Sequence, residues 1–460
     1  MTTAPANPRA FAVWFKDLDC WSVSSFFKMG WKWPADVIRP LAAALERRFD
    51  VVDRAKVEFA DLRLLTLHFD GEMEPRNLDG KSGFKGRLFY AQAGDMLYSK
   101  IDVRNGAIGI VPPSMPTVAV SSEYPVYRVR PAVAISEYVK LLFRTSAFRQ
   151  KINSMISGAS GRKRVQPSDL EEIKVPLPPL PVQQAVVRCW EKAQEEIAKA
   201  QGAIRKRQED LEVLLLRQIG IRLLPPSPRK GAFAFAWSDL ERWDTFFYRH
   251  DFIDLEKQLT AQKARPLGEV ARFVSRPWSR ADFPQGLFRY VEISSVTKEE
   301  GIARASPVEV DKAPSRATTL IRAGDLLIST TRPYLGSFTI VPREYDNCVC
   351  TSGFALADSV DERRVDKRFL LYFLKSPAGL RQMERRMTGG LYPAIVQSEL
   401  EKIRVPLPPL KVQEVFADEA ETVQEQARKD RQAAAKLSAE VAQEVEEMIL
   451  GTRPVKPGRA

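Results

Sequence analysis

Ser168–Gln183 reads SDLEEIKVPLPPLPVQ, and Ser398–Gln413 reads SELEKIRVPLPPLKVQ; twelve of the sixteen positions are identical, at an offset of 230 residues. The offset persists upstream. Ala93-Gly94-Asp95 with Leu97 and Ser99 repeats as Ala323-Gly324-Asp325 with Leu327 and Ser329, and Gly106 and Val111-Pro112 repeat as Gly336 and Val341-Pro342. A fainter echo pairs Asp17-Leu18 and Trp21 with Asp239-Leu240 and Trp243. Chance similarity of two proline-rich segments does not place distant markers in phase. The period is also far longer than the 20–50 residues of a solenoid repeat, so the chain is a duplicated domain.

Each copy follows one plan. Short apolar runs such as DMLYSKI and AIGIVP, or DLLIST and SFTIVP, read as strands between turn-forming residues. Helical patterns over Ser136–Ile152 and Lys367–Met387 follow. The V-P-L-P-P-L segment then forces an extended path, because proline fixes φ and biases the residue before it away from helix. Beyond it lies an uninterrupted helical pattern. Trp190, Ile197, Ile204 and Leu211 recur every seven residues in the first copy, and Ala420, Ala427, Ala434, Val441 and Met448 do so in the second. Such heptads with charged residues elsewhere predict a coiled coil. Bulky residues of one helix correspond to alanines of the other, which predicts that the two helices pack on each other, interrupted at Arg207 and Asp430.

The composition narrows the function. Lys and Arg number 70 against 58 Asp and Glu, a formal charge of +12, which points to a polyanionic partner with nucleic acid ahead of a membrane surface. The only histidines, His68 and His250, share no motif, so multi-histidine metal sites and histidine-dependent nucleophiles are excluded. The four cysteines (Cys20, Cys189, Cys348, Cys350) form no C-x-x-C pair, and Cys348-Val349-Cys350 reads as a strand buried on both faces. No apolar stretch approaches the roughly 20 residues of a membrane span, and the N-terminal residues carry no signal-peptide pattern. A cytoplasmic protein is expected.

Two globular units, each followed by a helix of about 35–40 residues (roughly 50–60 Å), can pair those helices antiparallel about a pseudo-two-fold axis. A rigid spacer of that scale suits two DNA half-sites about 34 Å apart, and divergent units imply unlike halves. The duplicated S-[DE]-L-x-x-I-x-V-P-L-P-P-L-x-x-Q block with its long helices resembles the specificity (S) subunit of Type I restriction–modification enzymes, over essentially the whole chain. The resemblance implies a mixed α/β (α+β) fold with two target recognition domains and an antiparallel coiled coil. The expected divisions are 1–180 for the first domain, 181–222 for the central helix and 223–232 for a linker. The second domain would occupy 233–410, the C-terminal helix 411–451 and a disordered tail 452–460. The family role is non-catalytic reading of a bipartite, asymmetric double-stranded DNA target. Two DNA methyltransferase subunits and motor-nuclease subunits would be the partners, and S-adenosylmethionine, ATP and Mg would bind to them. The segment from Thr3 to Pro34, rich in Trp and Phe, is longer than the family pattern leads one to expect.

A search for catalytic motifs agrees. No amino-methyltransferase D/N-P-P-Y/F motif occurs, and the phosphate-loop look-alike Leu78-Asp79-Gly80-Lys81-Ser82 has Pro75 where glycine is required. Residue types that touch bases and phosphates nominate Lys81, Lys85, Arg87, Lys100, Arg104, Asn105, Arg162, Lys163 and Arg164 in the first copy. In the second copy they nominate Thr330, Thr331, Arg332, Tyr334 and Tyr392. The run Arg162–Arg164 reads as a phosphate clamp. Two alternatives stay open at this point: service to a partner in which methyltransferase and nuclease are fused, and a coiled-coil scaffold that binds no DNA.

Overall fold

The prolines at 176, 178 and 179 carry the chain out of a short strand, Lys174–Pro176, and release it into a helix spanning Leu180–Gln218. In the second copy Arg404–Val405 leads through Pro406, Pro408 and Pro409 into a helix spanning Leu410–Leu450. The computed structural model describes residues 31–76, 84, 86–155, 164–227, 240–390 and 392–455. It divides into two compact units, residues 1–198 with 434–460 and residues 199–433, so that each unit holds one end of each long helix.

The glutamine closing the repeated block explains why the block is written twice. Gln183 is fully buried; its Oε1 accepts from the Ile135 amide at 2.9 Å, and its Nε2 donates to the carbonyls of Val133 (2.9 Å) and Pro178 (2.8 Å). Gln413, equally buried, accepts from the Asp366 amide at 3.0 Å and donates to the carbonyls of Arg364 (2.9 Å) and Pro408 (2.8 Å). One side chain thereby satisfies three backbone groups and ties the long helix to the helix-bearing segment before it.

Both units carry the same four-stranded antiparallel sheet. In the first unit the order is Leu45–Arg48, Val126–Val129, Asp95–Tyr98, Ile108–Ile110. In the second it is Ala271–Phe273, Phe354–Val360, Leu326–Ser329, Phe338–Ile340. The repeated Gly-Asp pair sits at one end of the central hairpin. Gly94 and Gly324 both have φ near +87°, and the neighbouring aspartates are buried against guanidinium groups, Asp95 with Arg48 and Asp325 with Arg276. Burial pushes the Asp95 carboxyl above the ordinary carboxylate range, with the Gln92 amide and Arg48 acting against it. Beyond this shared frame the second unit adds strands. Among the described residues Leu88–Gln92 forms a two-stranded ladder with Thr117–Ser121 and a single bridge from Phe89 to Val51, whereas the corresponding Ala317–Ile321 and Cys348–Thr351 belong to a four-stranded sheet with Leu287–Val291 and Ser306–Glu309. Cys348 and Cys350 face one apolar cluster and Val349 another, as the sequence suggested.

The long helices enter each core. In the first unit Val186, Val187 and Ala193 join Val441, Val445 and Ile449 in a cluster with Tyr138, Phe143 and Phe148. In the second, Leu215 and Ile219 join Phe416 and Ala420 in a cluster with Phe369 and Phe373. There Arg207 pairs with Asp430 while Leu215 meets the earlier residues 416–420, so the chains run antiparallel. Of the expected seam, Ile204, Ala420, Ala427 and Val441 are buried, and Trp190, Ile197, Leu211 and Ala434 are half-buried. The two interruptions answer each other: Arg207 Nη1 lies 2.5 Å from Asp430 Oδ2.

Two expectations need correction. The helical stretches read as continuous are each two helices, Ser136–Leu142 with Ser146–Ser154 and Lys367–Lys375 with Pro377–Arg386. The breaks fall where Thr145 and Ser376 cap the second helix through their hydroxyls, and Pro377 removes the amide that would continue the first. The residues from Thr452, expected to be disordered, close the last helix instead: the amides of Thr452 and Arg453 donate to the Glu447 carbonyl, and Val455 packs on the first unit's core. The linker beginning at Leu223 is likewise tied down where described, since the amide and hydroxyl of Ser227 donate to Asp251 Oδ1. Most of the aromatic-rich N-terminal segment, residues 228–239 and residues 456–460 lie outside the described residues. Among the described residues no helix is long and apolar enough to cross a membrane.

Candidate nucleic-acid interface

In each unit one loop joins the two strands of the central hairpin, and its backbone is held the same way in both. The Lys100 amide donates to the Glu123 carbonyl at 3.0 Å, and the Lys100 carbonyl accepts from the Val165 amide at 2.9 Å. Thr330 repeats both contacts, donating to Gly353 O and accepting from the Ile395 amide, each at 2.8 Å. Each loop then makes a single 3-10 turn, Val103–Asn105 or Pro333–Leu335, and closes on a left-handed glycine, Gly106 (φ +100°) or Gly336 (φ +67°). The second contact is the more consequential, because it ties the hairpin loop to the segment just before the repeated block.

The side chains between these matched anchors differ, as does the backbone just before the turn, where Asp102 has φ −104° and Arg332 φ +48°. In the first unit Arg104 and Asn105 are exposed at the tip, with Asn105 Nδ2 3.4 Å from Asp102 Oδ1. Arg164, next to the Val165 anchor, is exposed and reaches within 3.4 Å of Glu123. Arg87 is exposed one residue before Leu88, whose ladder partner Ser121 lies two residues from Glu123. Thus Lys100, Arg164 and Arg87 lie around Glu123, while Arg104 and Asn105 stand at the tip of the hairpin loop that Lys100 begins. Lys81, Lys85, Arg162 and Lys163 lie outside the described residues.

In the second unit the nominated residues converge on a tighter platform. Ser329 Oγ donates to the Thr331 carbonyl at 2.7 Å, and Thr330 Oγ1 donates to Gly353 O at 3.0 Å. Arg332 stands in the left-handed region (φ +48°), and its amide donates to Pro393 O at 2.8 Å. The adjoining loop is closed by reciprocal hydrogen bonds between Thr388 and Ala394 (2.7 and 2.8 Å). The Arg332 guanidinium lies 5.5 Å from the ring centroid of Tyr392. Tyr392 is 73% exposed and Tyr334 40%.

Leu335 and Val396, exposed on the same two loops, escaped the sequence reading. Their local patterns look like ordinary core positions; only the tertiary pairing of the loops leaves them in solvent. What the surfaces offer is donors, cationic forks and ring faces, the equipment for phosphate pairing, base-edge hydrogen bonding and apolar contact with bases. No group of three or more His, Cys, Asp or Glu side chains capable of holding a metal occurs among the described residues.

The chain is similar to known proteins. The family described as the Type I restriction modification DNA specificity domain matches residues 84–206 and again 264–435. A chain from a structure concerned with complex assembly and conformational transition of the type I R-M system is 18% identical, with 90% of this chain and 96% of that one covered and a TM-score of 0.47. The HsdS subunit from Thermoanaerobacter tengcongensis is 17% identical over 92% of this chain and 97% of that chain, with a TM-score of 0.34. The S subunit of a Type-I restriction-modification system from M. genitalium is 10% identical over 91% and 98%, with a TM-score of 0.44. No curated protein matches.

Proposed function

The chain belongs to the family of Type I restriction–modification DNA specificity domains, and on that premise we propose that it reads a bipartite, asymmetric double-stranded DNA target, one half with each unit. The observation that carries this reading is the contrast inside the repeat. The two hairpin loops share their backbone hydrogen bonds yet present Lys100, Arg104 and Asn105 in one unit and Thr330, Arg332, Tyr334 and Leu335 in the other. A frame kept the same with side chains made different is what two readers of unlike sequences require.

Recognition is this chain's contribution, and chemistry belongs to its partners. Two methyltransferase subunits would bind S-adenosylmethionine and methylate adenines at the recognised site, and motor-nuclease subunits would use ATP and Mg to cleave unmodified DNA. The assembly would work in the cytoplasm. The test is a map of methylated adenines across the source genome with this gene intact and deleted. The expected result is loss of methylation at one split, asymmetric motif. An unchanged map, together with DNA affinity of the purified complex that does not fall between about 50 and 200 mM salt, would overturn the proposal; six phosphate contacts alone should cost about 10³ in affinity over that range.

A further inference from the structure

We propose that Arg332 is the base-reading side chain of the second unit and that it selects a guanine in its half of the target; this rests on the DNA-reading function proposed above. Three features single it out among the exposed cations. First, its backbone is fixed in a conformation that non-glycine residues rarely adopt (φ +48°), immediately before Pro333, with its amide bonded to Pro393 O at 2.8 Å. Phosphate contact needs no such positioning, whereas reading a base edge does. Second, its guanidinium lies over the Tyr392 ring, 5.5 Å from the centroid. The ring steadies the fork and leaves its donors free for a planar acceptor pair. Third, exposed apolar side chains share its loops: Leu335 and Val396 are 51% and 60% exposed on the same two loops as Tyr334 and Tyr392. Exposed apolar groups beside a fixed cation are poor partners for phosphates and good ones for a groove floor, where thymine methyl groups lie.

The repeat supplies the control. The residue 230 positions earlier is Asp102, whose carboxylate accepts from Asn105 Nδ2 at 3.4 Å, while Arg104 and Asn105 hold the tip. The guanidinium fork at 332 is therefore a departure of the second unit from the shared frame. A fork with two parallel donors matches O6 and N7 of guanine, a pairing that discriminates by about 5- to 150-fold against other bases.

The test uses the chain assembled with its methyltransferase partners and a pool of duplexes randomised through the target, from which bound molecules are sequenced. The wild type should select guanine at one position of the half read by the second unit. Arg332→Ala and Arg332→Gly should accept all four bases there, with preference falling below about 3-fold, while every other position is retained. Glycine relieves the positive φ, so R332G keeps the test valid if R332A fails to fold. Arg332→Lys should keep affinity and lose most of the discrimination, because a point charge cannot imitate the fork. A uniform loss of affinity with the selected sequence unchanged, and a shallower salt slope, would make Arg332 a phosphate contact and overturn the proposal. If the wild type selects no sequence at all, the DNA-reading function itself falls with it.

Discussion

The block that ends each globular unit and the loop that caps its central hairpin lie in the same repeat and have diverged oppositely. Gln183 and Gln413 make the same three hydrogen bonds, to within 0.1 Å. The loops at Lys100–Gly106 and Thr330–Gly336 share two anchoring backbone hydrogen bonds, a 3-10 turn and a left-handed glycine, and agree in almost no exposed side chain. A buried side chain serving three backbone groups has no chemical substitute, whereas an exposed one on a fixed loop can become anything. The contrast separates what builds the reader from what it reads.

The sharpest way to break that comparison is to attack the invariant half. Gln183→Ala or Gln413→Ala strands an amide and two carbonyls in a dry site, at about 1–3 kcal/mol for each group left unsatisfied. The expected loss is about 3–5 kcal/mol in either copy, read as a fall in the urea midpoint. A large cost at one glutamine and none at the other would show that the hubs are alike in geometry only.

The helix pair comes next. Ala427 is fully buried in the second unit, three residues before Asp430, which pairs with Arg207 of the facing helix. Ala427→Trp overpacks the site and should cost about 1–3 kcal/mol, seen as a lowered Tm. A silent substitution would mean that the alanine stripe is spacing rather than packing.

A third difference is electrostatic and sits beside the glutamine hubs. Ile135 and Asp366 give equivalent amides to Gln183 and Gln413, but only Asp366 also caps the following helix, accepting from the Arg368 and Phe369 amides. Burial would raise its pKa; hydrogen bonds from the Arg368 side chain and those amides outweigh this and hold it below the ordinary value. A carboxylate depressed in the folded state adds stability that is whole above about pH 5 and fades as pH falls through about 4. The second unit should therefore lose protection against amide exchange before the first on acidification. Asp366→Ala should remove that difference and cost about 1 kcal/mol at neutral pH. Equal acid sensitivity of the two units in the wild type would refute it.

What could be read from the amino-acid sequence follows the same line. The duplication, the proline-forced exit and the heptad seam are local or periodic signals, and the buried Ile204, Ala420 and Ala427 lie where those signals put them. The split of each helical stretch at Thr145 and Ser376 was also written locally, in a hydroxyl before a helix start, but apolar periodicity runs straight across both breaks. The strand order was not legible, because it depends on pairings between residues far apart such as Asp95 with Arg128. Nor was the platform around Arg332. Its members Arg332 and Tyr392 are 60 residues apart, and nothing in either segment announces the other.

Arg207 and Asp430 show how a fault in one helix can be mended by a fault in the other. Each breaks its own heptad with a charge, and the structure sets the two charges 2.5 Å apart. Asp430 also accepts from Gln426 Nε2, which together with Arg207 holds its carboxyl below the ordinary range. The pair is open to solvent, so it fixes register more than it stabilises. Asp430→Ala should shift Tm by no more than about 2 °C, an effect that vanishes in high salt. Exchanging the two residues, Arg207→Asp with Asp430→Arg, should restore the wild-type melt, whereas Asp430→Arg alone sets two cations face to face and should lower it further than the alanine. If the exchange behaves no better than the single reversal, the charges do not recognise each other, and the seam is aligned by its apolar residues alone.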